Sequence, residues 1–136
     1  MAEFDPSAFV ADPELMQALE KHSHPMLSGK GKILFRQGEA AEGLFVLCEG
    51  SVTLTMHGVH GQTVLTVEIG AGSLLGLPAL VGNQPYSMTA RAGDDTVVQF
   101  IGRDEFNRFM QSNPQLALKV LQVLANEVRT ARRALC

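Results

Sequence analysis

Tryptophan is absent from this chain, tyrosine occurs once, and cysteine twice, at Cys48 and Cys136. Two thiols, one in a predicted buried strand and one at the final position, cannot build a disulfide framework or supply the four thiolates of an iron–sulfur cluster. No apolar run approaches membrane-spanning length, and no apolar segment follows a basic N-terminal region. Membrane insertion and secretion are therefore unsupported, and cytoplasmic residence is the expectation. Charge is sparse: 18% of residues are charged, 11 basic against 14 acidic, for a formal net charge of −3. A weakly acidic domain is a poor binder of polyanions, so no nucleic-acid binding is expected of it.

Reactive constellations are missing too. His57 and His60 are predicted in a hairpin and His22 and His24 after a helix, without a carboxylate or cysteine at metal-ligand spacing. They read as exposed turn histidines, with a haem ligand among them or at Cys48 as the alternative. A barrel metal enzyme would want a paired His-x-His and a glutamate on strands. His22-Ser23-His24 has that spacing but is predicted after a helix and not on a strand, and neither G-x-S-x-G nor a phosphate-cradling G-x-x-x-x-G-K occurs. The expectation is a protein that is not an enzyme and carries no metal or cofactor.

What is present is 46% apolar residues in a chain of 136, enough for one domain with a genuine core. The expected domain occupies residues 1–136, with an N-terminal helix over 12–23, a β-roll over 30–101 and C-terminal helices over 103–135. Asp12-Pro13-Glu14 opens the first helix, with Asp12 as cap and proline in the first turn. From Lys32 to Ile101, short strands alternate with glycine turns, the pattern of a sandwich, barrel or jelly-roll-like roll. Val52–Met56 and Thr63–Glu68 flank His57-Gly58-Val59-His60-Gly61 as a hairpin with an exposed tip. Phe106, Phe109 and Met110 then share one helix face, and Asn113-Pro114 starts a last helix reaching about Leu135.

That last helix carries two apolar stripes. Leu118, Leu121, Ala125, Val128, Arg132 and Leu135 follow heptad spacing, while Leu116, Val120, Val123, Leu124 and Ala131 form an adjoining stripe. One can pack on the roll; the other needs a partner, expected to be a second copy of the chain. Acidic residues load the N-terminus, and Lys119, Arg129, Arg132 and Arg133 against Glu127 make the last helix basic, which reads as complementation of the helix dipole.

Two glycine-bracketed stretches carry a family resemblance. In LFRQGEAAEGLFVLCEG, residues 34–50, Gly38 and Gly50 mark turns around the buried run Leu44–Leu47. GAGSLLGLPALVGNQPYSMTARA follows over residues 70–92. The order resembles the cyclic nucleotide-binding domain of the catabolite activator and fumarate-nitrate regulator family, effector domain only, with Phe35 bulkier than the aliphatic residue usual there. The resemblance implies a mainly β double-stranded roll flanked by an N-terminal helix, a short C-terminal helix and a long dimerisation helix. It also implies a phosphate cassette in which a Gly-Glu pair and an Arg followed by a small residue hold the ligand. On this chain those four positions are Gly76, Leu77, Tyr86 and Ser87.

The cassette is thus degenerate: the two charged positions are lost. A guanidinium on a phosphate contributes about 1.5–3 kcal/mol, and a leucine leaves the ribose hydroxyl without its acceptor. Pro78 removes a further N–H. The expected ligand-binding residues are Gly76, Leu77, Tyr86 and Ser87, lined by Leu74, Leu75, Leu77, Leu80 and Val81. Against a ligand role, Tyr86 reads as a packed aromatic with its hydroxyl at the surface and Arg91 as an ion-paired structural residue, while Ser87 reads equally as a strand serine. The functional expectation is a regulatory domain sensing a small-molecule effector, not cyclic AMP or GMP in the usual way. Signalling would run through a homodimer helix contacting its copy at Leu118, Leu121, Ala125, Val128 and Arg132. The alternatives are a ligand-free dimerisation or protein-interaction module, and the effector part of a transcription regulator whose DNA-binding domain lies outside this chain.

Overall fold

The computed structural model describes residues 4–26 and 29–135; Cys136 lies outside them. After a short 3₁₀ helix at Pro6–Phe9 come α1 (Pro13–Lys21), β1 (His24–Met26), β2 (Ile33–Phe35), β3 (Gly43–Glu49), β4 (Ser51–His57) and β5 (Thr63–Gly70). Then follow β6 (Ser73–Leu75), α2 (Leu77–Gly82), β7 (Thr89–Ala92), β8 (Val97–Gly102), α3 (Arg103–Ser112) and α4 (Pro114–Leu135). The strands form two four-stranded antiparallel sheets, ordered β1-β8-β3-β6 and β2-β7-β4-β5. This is the mainly β roll with flanking helices that the sequence implies.

Strand β3 lies at the centre because it is buried on both faces. Phe45 and Leu47 point into the roll, packing with Val52, Leu54, Ile69, Leu75 and Val98. Their neighbours Leu44 and Val46 point outward into a second core with Leu15 and Leu19 of α1, Phe106 and Phe109 of α3, and Val120 and Val123 of α4. The two-residue period of a strand sends alternate side chains to opposite faces, so one apolar run serves both cores. Gly43 opens the strand where a Cβ would collide with the Ile101 carbonyl and the Phe100 ring.

The helix caps act as their residue types dictate. Asp12 accepts from the Leu15 N–H (2.8 Å), and its other oxygen meets Lys119 Nζ (2.6 Å), which also reaches Glu14 (3.2 Å). Lys119 therefore ties α4 to α1 instead of complementing a helix C-terminus. Asn113 caps backward: its amide donates to the Phe109 carbonyl at the end of α3 (3.0 Å).

Two elements escape the sequence reading. Strand β1 contains Pro25, which cannot donate to a ladder, and it survives because it is an edge strand paired only with β8. The 3₁₀ helix is capped by Asp5, whose carboxylate accepts from the Ser7 N–H (3.0 Å), and the Asp5 N–H donates to Thr130 Oγ1 (2.6 Å) on α4. The hairpin tip is as expected, with Val59 94% exposed between β4 and β5.

Leu44→Ala should lower unfolding stability by about 2–5 kcal/mol in urea titration. Val59→Ala should change it by less than about 0.5 kcal/mol; similar losses for both would contradict a strand shared by two cores.

Candidate functional site

Gly76 links β6 to α2 in the left-handed conformation (φ 86°), and a Cβ there would stand 2.9 Å from Tyr86 Cε1. Glycine is thus required twice, by the backbone and by the tyrosine ring. The loop after α2 is held to the turn before β3: the Tyr86 N–H donates to the Glu39 carbonyl (2.9 Å), and the Gly38 N–H donates to the Tyr86 carbonyl (2.8 Å). Arg103 locks the same region, donating to the carbonyls of Leu80 (3.1 Å) and Ala41 (2.6 Å).

Tyr86 is a packed aromatic, 5% exposed, stacked on Phe35 at 4.1 Å between ring centroids. Its hydroxyl is not at the surface: it donates to the Gly43 carbonyl (3.2 Å), and burial pushes the phenol's pKa up. Only the ring is therefore offered to a ligand. Ser87 is exposed beside it.

These residues border a cavity of about 360 Å³ between α2, the roll and the last turns of α4. Gly76, Tyr86 and Ser87 line it together with Pro78, Ala79, Met88, Phe4, Phe9, Phe35 and Leu54, and α4 closes it with Glu127, Val128, Ala131, Arg132 and Leu135. Leu77 does not line it. It is fully buried against the helices with Leu80, three residues on, because that face of α2 turns away from the cavity. Leu74 also packs against the helices, Leu75 fills the roll, and Val81 is exposed, so the expected leucine lining is replaced by aromatic rings and α4. Arg91 Nη1 donates to the Gly31 carbonyl (2.8 Å), a hydrogen bond in place of the expected ion pair.

Glu127 is the residue that sequence reasoning missed. It is 3% exposed, and neither carboxylate oxygen has a hydrogen-bond partner among the described residues. Burial pushes its pKa well above the ordinary carboxylate range. The signal lay in helical spacing: Val120, Val123, Glu127 and Thr130 form the buried face of α4. On the opposite face Leu118 (63%), Leu121 (45%) and Val128 (42%) are exposed, as are Ala125 and Arg132.

Other candidate chemistry is weak. Cys48 is half-buried, its thiol pushed up to about 12, chiefly by desolvation, so it is held as the unreactive thiol. Among the described residues no cluster of histidine, cysteine and carboxylate side chains is placed to hold a metal ion, and no helix is long and apolar enough to cross a membrane.

A two-sheet roll with a glycine-led short helix at its open side and a long helix closing the cavity is the architecture of a regulatory domain. The chain belongs to the cyclic nucleotide-binding domain family, whose family model matches residues 28–113. It is 26% identical over 119 residues to the cyclic AMP receptor protein of Thermus thermophilus, covering 88% of this chain and 55% of that protein. It is 22% identical over 118 residues to the CRP-like cAMP-activated global transcriptional regulator of Mycobacterium tuberculosis, covering 87% and 53%. Among solved structures, the Thermus thermophilus catabolite activator protein superposes with a TM-score of 0.78 at 26% identity, covering 94% of this chain and 60% of that one. The chain thus spans about half the length of the curated relatives it matches.

Gly76→Ala should destabilise the fold by about 1–3 kcal/mol, since the added methyl meets Tyr86 and the backbone is left-handed. Glu127→Gln should act in the opposite direction. A carboxyl whose folded pKa is raised contributes stability below its unfolded pKa, and that stability is lost as pH rises through the folded value. Wild type should therefore lose stability relative to Glu127→Gln from about pH 4.5 upward. The variant should be the more stable by about 1–3 kcal/mol at pH 8, measured by urea unfolding across pH.

Proposed function

We propose that this domain is a regulatory sensor whose effector occupies the cavity between the cassette and α4, and that the effector is not cyclic AMP or GMP held in the usual way. The observation that carries this reading is Tyr86. At the position where the family's pattern has an arginine stands a neutral ring whose hydroxyl is committed to the Gly43 carbonyl, and Leu77, at the glutamate position, faces the helices. The surrounding aromatic and apolar walls suit a ligand with a largely apolar body.

Occupancy is read out by α4, which contributes one wall of the cavity from Glu127 to Leu135. A ligand acts on such a helix only through different affinities for two of its arrangements. The exposed stripe Leu118, Leu121, Ala125, Val128 and Arg132 supports a homodimer through α4, a contact that Val128 and Arg132 would link directly to the cavity. The domain itself is neither an enzyme nor a DNA binder in this reading, and it works in the cytoplasm. The Mycobacterium tuberculosis relative is a transcriptional regulator, and control of transcription, if this chain shares it, belongs to a separate DNA-binding domain.

Thermal-shift titration with cyclic AMP and cyclic GMP tests the ligand half, since any ligand that prefers the folded state raises its melting temperature. No shift is expected at concentrations that saturate a cyclic nucleotide-binding relative; a clear shift would show that the cassette backbone suffices. Shifts with none of a panel of small metabolites would favour a ligand-free dimerisation module. Light scattering should report a dimer at micromolar concentration that Val128→Glu dissociates, and a monomeric wild type would overturn the α4 interface.

A further inference from the structure

We propose that the cavity recognises an apolar molecule bearing a protonated amine, whose ammonium group pairs with Glu127. This inference rests on the effector-cavity reading above and names its ligand class. A carboxylate removed from solvent must find a cation, accept hydrogen bonds or become neutral. Glu127 has no partner among the described residues, although both oxygens are buried. In the empty protein burial holds Glu127 neutral, and the partner that would ionise it is a donor entering from the cavity that its side chain lines.

The walls point the same way. Phe4 and Phe9 lie 5.5 Å apart, Phe35 stacks on Tyr86, and all four rings border the same cavity as Glu127. Aromatic faces attract organic cations by their quadrupole, and the apolar walls take up a hydrocarbon body. Such a site offers an anion no buried cation, because the only other charged residue among the described ones lining the cavity is Arg132, which is solvent-exposed where its charge is screened. A cavity of about 360 Å³ accommodates an arylalkylamine or a short alkylamine.

The test compares phenethylamine, its neutral isostere phenethyl alcohol and the anion phenylacetate, by thermal shift and by NMR titration of the same chain. The result expected is that phenethylamine binds wild type at least about tenfold more tightly than phenethyl alcohol, that phenylacetate does not bind, and that Glu127→Gln abolishes the difference. The wild-type comparison stands whether or not the variant folds. Equal binding of amine and alcohol by wild type would overturn the proposal and leave the effector-cavity reading intact. No binding of any probe at millimolar concentration would also overturn the proposal, and the effector-cavity reading would then stand or fall by the metabolite panel. Weaker self-association of Glu127→Gln, with amine binding unchanged, would place the missing partner on a second copy and also overturn the proposal.

Discussion

Strand β3 has to satisfy two cores at once, and the rest of the molecule is arranged around that requirement. With Leu44 and Val46 directed at the helices and Phe45 and Leu47 at the roll, neither face of its sheet can be left to solvent. Helices α1, α3 and α4 therefore close over one face, while the second sheet closes the other. At the head of the strand, Gly43 makes a close approach to Ile101 and offers its carbonyl to Tyr86. The cassette is thereby pinned to the strand that both cores share, so its geometry is set by the core.

That pinning explains why the loss of the two charged cassette positions leaves an ordered site. An arginine would have been held by the phosphate it binds; Tyr86 is held by Phe35, by Gly43 and by the backbone bonds to Gly38 and Glu39. Arg103 adds a fixed bridge from α2 to the entry of β3. Specificity in such a pocket passes to the other residues that line it, including those on the wall that α4 supplies. Glu127 stands among them as a group that costs stability in the empty protein, which is the kind of local conflict expected where function outweighs packing.

Much of this was legible in the residues. The glycine turns around Leu44–Leu47 marked the buried strand, Asp12-Pro13 marked a helix start, and the heptad stripe of α4 is exposed while Val120 and Val123 of the adjoining stripe are buried. Gly76, Tyr86 and Ser87 come together at one cavity, whereas Leu77 packs against the helices. A six-residue helix has two faces, and sequence alone could not say that Leu77 and Leu80 take the face away from the cavity. Strand β1 was hidden by its proline, and the 3₁₀ helix by its brevity, although it brings Phe9 to the cavity. Glu127 was hidden by its chemistry: set among arginines it reads as one more surface charge, and only its spacing from Val120 and Val123 betrays the buried face. The lesson is physical, since composition ranks residues by solvation while helical period assigns them to a face, and here the two disagree.

The central claim is that a carboxyl group lies unpartnered and out of water beside an apolar cavity. It is tested most directly by following the Glu127 side-chain carboxyl carbon by NMR across a pH titration of the unliganded protein, with Glu127→Gln to assign the resonance. A midpoint well above the ordinary carboxylate range is the result this account predicts. A midpoint near the ordinary value of about 4.3 would mean that Glu127 is solvated or already paired, and would contradict it.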